Sequence, residues 1–106
     1  MNTVIYKYPL EFYREFKVVM PSAAKPLKVE MQNGVPHLWA LVDTSQPEAE
    51  YEIRCIGTGV PIPDEFCAIG TYPPVEFLGT VFDGVHVWHY MLKRLRSTPD
   101  IFSVAT

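Results

Sequence analysis

Apolar and polar positions alternate with a period of two through most of the chain, and that alternation predicts strands. The clearest case covers residues 28–43, KVEMQNGVPHLWALVD. Leu27, Val29 and Met31 point one way and Lys28, Glu30 and Gln32 the other, as in a strand with one face in water. Asn33-Gly34 follows, a pair that tolerates the positive φ angles of a type I′ turn. The return strand carries Pro36, expected where the ladder needs no N–H. Residues 38–42, LWALV, are apolar on both faces, which predicts a strand covered on both sides. A second hairpin is predicted over residues 80–92, where Asp83-Gly84 separates TVF from VHVWHYML. Val85, Trp88, Leu92 and Leu95 also fit helical spacing. The Asp-Gly pair between β-branched and aromatic runs decides for a hairpin.

Other short runs read the same way. Residues 3–8 (TVIYKY), 15–20 (EFKVVM) and 51–56 (YEIRCI) are predicted strands. In the last of these, Tyr51, Ile53 and Cys55 face one side, and Glu52, Arg54 and Ile56 the other. Residues 67–72 (CAIGTY) form a further short strand broken by Gly70, and 75–78 a short extended piece. The stretches 21–26, 44–50 and 60–66 read as proline-bearing loops. The count is about seven or eight strands at roughly ten-residue spacing, which predicts an all-β domain, a small antiparallel β-sandwich or barrel-like fold. It occupies residues 1–95, and 96–106 form a C-terminal tail. Ten prolines among 106 residues reinforce this by disfavouring long helices.

Charge narrows the possible partners. The formal net charge is −3 and the sequence pI about 5.5. That is the wrong sign for a general nucleic-acid binder. The one basic cluster, Lys93, Arg94 and Arg96, reads as a solvated strand end. The opening MNTVIYKY lacks the pattern of a signal peptide, and no apolar run approaches the roughly 20 residues that span a bilayer. The expectation is a cytosolic protein without membrane contact, in which Cys55 and Cys67 are free thiols.

Candidate chemistry is sparse. His86 and His89 fall on opposite faces of a strand, and no Cys or His pair has structural-zinc spacing, so no metal or other cofactor is assigned. No serine sits in a G-x-S-x-G elbow, and both cysteines lie in apolar runs where a small core residue is the ordinary reading. No catalytic residue is assigned. A binding role has more to draw on. Gly-Thr recurs at Gly57-Thr58-Gly59, Gly70-Thr71 and Gly79-Thr80. Converging backbone amides in such turns form anion nests, and Arg54 stands three residues upstream to complete a phosphate contact. Trp39 offers a ring on which a base could stack, with His37 on the same strand face. The competing reading makes the glycines strand-end turns and bulges.

Five strings in order, IYKYPL, MPSAAKPLKVEMQNGVPHLWALVD, RCIGTGVPIP, IGTY and VHVWHY, resemble a family of short uncharacterised proteins of tailed bacteriophages and their prophages. The resemblance covers residues 4–90. Ala23 departs from it where the pattern has glycine, which points to a different turn there. The chain also runs past the closing strand into KRLRSTPDIFSVAT. The resemblance implies a phage context and the cytoplasm of a bacterial host, and it brings no activity for single residues.

Three functions follow as expectations. The first is a phage accessory binding protein that inhibits a host defence or host factor, by covering a host protein or by sequestering a signalling nucleotide. The nucleotide version uses Arg54, Gly57, Thr58 and Gly59 for phosphate and an aromatic such as Trp39 for the base, with His37 a further candidate on the face of Trp39. The second is a virion structural or assembly protein. The third is a small hydrolase built on the histidines. A homodimer is expected because two-fold dimers are the commonest closed assembly.

Overall fold

Among the described residues seven strands form, nearly all where the alternation places them. The structure is a computed structural model that describes residues 2–12, 14–67 and 75–94. In chain order the elements are β1 (Thr3–Pro9), β2 (Glu15–Pro21), β3 (Lys25–Gln32), β4 (Val35–Asp43), β5 (Glu48–Gly57), the short helix α1 (Asp64–Cys67), β6 (Val75–Phe82) and β7 (Val87–Arg94). They build two antiparallel sheets, one in the order β1-β4-β3 and one in the order β2-β5-β7-β6.

The phase of each strand decides which residues meet between the sheets. Leu38, Ala40 and Val42 of β4 are buried against Tyr51, Ile53 and Cys55 of β5, with Met20, Tyr90 and Leu92 completing the core. Each large apolar side chain buried there contributes about 1.5–3 kcal/mol before the entropy of ordering is subtracted. The result is an all-β sandwich, and the facing of Tyr51, Ile53 and Cys55 follows the predicted alternation.

Four expectations change. The run 38–42 is not covered on both sides. Trp39 and Leu41 are half-buried on the outer face of the three-stranded sheet, because no second layer lies over it among the described residues. Leu27 is exposed rather than inward, since a bulge between Pro26 and Lys28 shifts the register of β3 against β4. Asp64 to Cys67 close into a helical turn where a loop and the start of a strand were expected. The rest of the 67–72 strand, with Gly70-Thr71, lies outside the described residues, as does the 96–106 tail. The second hairpin has a four-residue connection, Asp83 to His86, in place of a two-residue Asp-Gly turn. The first hairpin forms as predicted, with Asn33 at φ 51° and Gly34 at φ 78°.

The two edges of the sandwich differ. At one, β3 runs against β6, and a Cβ on Gly79 would stand 3.3 Å from Cβ of Val29. Glycine there lets the sheets approach, at a bulge of β6 between Phe77 and Gly79. At the other edge β1 and β2 stay apart, with a pocket between them. Two buried tyrosines tie connections to the core. The Tyr51 hydroxyl donates to the Pro21 carbonyl at 2.8 Å and accepts from the Ala24 N–H at 3.2 Å. The Tyr90 hydroxyl donates to the Glu11 carbonyl at 2.7 Å. Among the described residues no helix is long and apolar enough to cross a membrane.

Candidate binding groove

The outer face of the four-stranded sheet carries the candidate site. Alternation that sends Cys55 and Tyr90 inward sends Ile56, His89 and Met91 outward. Register then places Ile56 and Thr80 beside His89 on the two neighbouring strands. The His89 ring is held at both nitrogens: Nε2 lies 2.8 Å from Oγ1 of Thr58, and Nδ1 lies 2.9 Å from Oγ1 of Thr80. In the neutral ring one threonine donates and the other accepts, since a hydroxyl can do either.

Around this histidine lies an open groove of about 280 Å³, lined by Ile56, Thr58, Val60, Phe77, His89 and Met91 among others. Its floor is firm, because Ile56 and Met91 pack with Phe66 of α1 and Val75. Its rim is apolar and wet: Phe77 is 64% exposed, with Val60 and Ile62 also exposed. The Phe77 ring sits 6.5 Å from that of His89.

The Gly57-Thr58-Gly59 turn borders this groove, with part of its backbone engaged in the fold. The Val60 N–H donates to the Gly57 carbonyl at 3.1 Å, and the Thr58 N–H to the Val87 carbonyl at 3.2 Å. Gly59 takes φ 86° at the third position of the turn, where a type II geometry favours glycine. Two of its amides are therefore spent within the fold.

Arg54 does not line the groove. It lies on the same outer face, nearer β2, where its guanidinium meets Glu15 at 2.8 Å and Glu65 at 3.5 Å and stacks 5.3 Å from the Phe66 ring. With 12% of its side chain exposed and two carboxylates on it, its charge is already matched. His37 and Trp39 are on the far side of the molecule, on the outer face of the other sheet. The His37 ring lies 5.8 Å from Trp39, its Nδ1 is 2.9 Å from the Val35 carbonyl, and Lys28 covers Trp39 at 5.2 Å. Gly57, Thr58 and Gly59 thus come together as expected, Arg54 stands apart, and His37 with Trp39 are separated from them by the full thickness of the sandwich. One strand of odd–even phase explains this: His37 and Trp39 alternate with the core residues Leu38 and Ala40.

Sequence reasoning missed Phe77, Met91, Val60 and Ile62 as site residues. Met91 carried a signal, since residues two apart on one strand share a face and Met91 stands two from His89. Phe77 carried none: regular alternation from Thr80 turns Leu78 to that face, and it is the bulge between Phe77 and Gly79 that turns Phe77 there instead.

Among the described residues the groove lining holds no cysteine or serine, and the Thr58 hydroxyl on it is hydrogen-bonded to the His89 ring. Burial raises the Cys55 thiol pKa, and Cys55 faces the core. Among the described residues no three His, Cys, Asp or Glu side chains converge to hold a metal. What the arrangement does chemically is present a rigid apolar trough with a fixed imidazole.

The fold and the groove define a small all-β sandwich with one apolar outer face. The chain belongs to a family described as a domain of unknown function, DUF7352, whose family model matches residues 1–99. No curated protein and no solved structure matches it.

Proposed function

We propose that the protein is a phage accessory protein that acts by binding: it covers a host protein in the bacterial cytoplasm through the groove over His89, as an inhibitor of host defence or of another host factor. The phage context rests on the resemblance of the ordered strings of residues 4–90. The binding mode rests on one observation, the exposed apolar rim of Phe77, Val60 and Ile62 above a packed floor. Each such side chain that a partner covers contributes about 1.5–3 kcal/mol. Exposed apolar side chains gathered around a groove mark interaction sites.

A protein partner fits this surface better than a nucleotide. A phosphate would need a cation, and Arg54 is engaged by Glu15 and Glu65. The aromatic pair that would stack a base is on the opposite face. The test compares proteins retained from host lysate by the immobilised wild type and by Phe77→Asp. A host protein kept by the wild type and lost by Phe77→Asp supports the reading. Equal retention by both overturns it. A thermal shift with linear or cyclic nucleotides, abolished by Arg54→Ala, would favour sequestration of a nucleotide instead.

A further inference from the structure

The open edge between β1 and β2 carries a different kind of surface. Among the described residues β1 is the end strand of its sheet, no strand pairs with its free side, and most of its residues are exposed. Two backbone bonds fix the phase of its ladder: the Thr44 N–H donates to the Asn2 carbonyl at 2.9 Å, and the Leu10 N–H to the Pro36 carbonyl at 2.8 Å. Both pairs fall in the β1–β4 register, so the even-numbered residues of β1 turn their amides and carbonyls to β4. Thr3, Ile5 and Lys7 therefore direct theirs outward. An extended segment could pair with them, and Pro9, which has no N–H, would end the pairing.

The inner side of this edge is neither closed nor bare. Tyr6 and Tyr8 pair with Ala40 and Leu38, so their rings turn toward the interior face. Tyr6 nevertheless remains 48% exposed. The two rings stand edge to face, 6.4 Å apart. With Val19, Pro21, Thr44 and Glu48 they line a pocket of about 330 Å³. Glu48 lies close enough to Tyr8 for its charge to help hold the phenol pKa above the ordinary value, after the larger effect of burial. Lys17, the lysine of β2, pairs with Glu50 at 3.7 Å. Among the described residues no cation forms an ion pair with Glu48.

We infer that this edge is a second binding site, taking an extended segment of a partner protein that pairs with β1 and sets an arginine or lysine side chain against Tyr6, Tyr8 and Glu48. The chemistry matches at each point. Aromatic faces attract a guanidinium or ammonium group through their quadrupole, and an unpaired carboxylate attracts it by charge. A residue added opposite Tyr6 carries its side chain on the same face as Tyr6, over the pocket. Main-chain pairing supplies affinity and the pocket supplies selectivity, as in other cases of strand addition. This site is independent of the groove over His89 and lies on another side of the sandwich.

The test uses the full chain and three synthetic probes: a seven-residue β-forming peptide with a central arginine, the same peptide with glutamine, and arginine amide alone. Binding is followed by amide chemical shifts. The expected result is that the arginine peptide shifts Thr3, Ile5, Lys7 and Glu48, and binds about tenfold more tightly than the glutamine peptide. Glu48→Gln should remove that preference, and Ile5→Pro, which deletes an outward N–H and leaves the β4 ladder intact, should remove binding of either peptide. Equal binding of the two peptides, shifts confined to the groove around His89, or arginine amide binding as well as its peptide would each overturn the inference. So would the absence of any shift at millimolar peptide. The fold of each variant is checked from the dispersion of its own spectrum.

Discussion

Single residues carry strain and ties that set the stability of this sandwich. Ala23 sits at φ 62° in the turn between β2 and β3. A left-handed conformation costs a residue with a Cβ about 1–2 kcal/mol, part of which glycine gives back through its freer unfolded chain. Ala23→Gly should therefore raise the unfolding free energy by about 1 kcal/mol in denaturant titrations, and an unchanged or lower value would contradict the argument. The departure at Ala23 pointed to a different turn, whereas the residue takes the left-handed conformation that glycine favours. The neighbouring Tyr51 ties the same turn down. Tyr51→Phe leaves the buried Ala24 N–H and the Pro21 carbonyl without that partner, so it should cost about 1–3 kcal/mol in the same measurement. Nothing in the alternation of residues 51–56 announced this bond, because it joins a core side chain to a turn 27 residues away.

At the scale of elements, the two hairpins show what turn chemistry reveals and what it hides. Asn33-Gly34 demanded positive φ twice and received it. Asp83-Gly84 looked equivalent, yet the Asp83 side chain reorganises the connection. Its Oδ1 accepts from the Val85 and His86 N–H groups at 2.7 and 2.6 Å, and its Oδ2 from Trp88 Nε1 at 2.8 Å. These bonds, the His86 amide first, lower its pKa from 3.8 to about 2. A carboxylate with a depressed folded-state pKa stabilises the fold above its ordinary pKa and loses that contribution as pH falls toward the folded value. Thermal melts should therefore show a drop between about pH 4 and pH 2 that Asp83→Ala reduces. Equal pH profiles for the two proteins would dismiss this role. The helix α1 was hidden for another reason. Four residues after Pro63 carry no period, and the turn is placed by Phe66 packing on Ile56 and Met91 together with the contacts of Arg54 to Glu65 and the Phe66 ring.

For the whole molecule, the alternation of β4 and β5 determined the architecture and also divided the expected site. Strand phase told which residues were inside. It did not tell which outer face each remaining residue would occupy, because that depends on how the strands are ordered between the two sheets. Arg54, Gly57, Thr58 and Gly59 share one sheet, whereas His37 and Trp39 belong to the other. The outer face over His89 is left with exposed apolar side chains, which under the proposed function a host protein covers. The most direct measurement places a photo-crosslinking amino acid at position 77 in one sample and at position 39 in another, within host cells. The account predicts a defined crosslinked host protein from position 77 and none from position 39. Crosslinking from position 39 alone, or from neither, would contradict it.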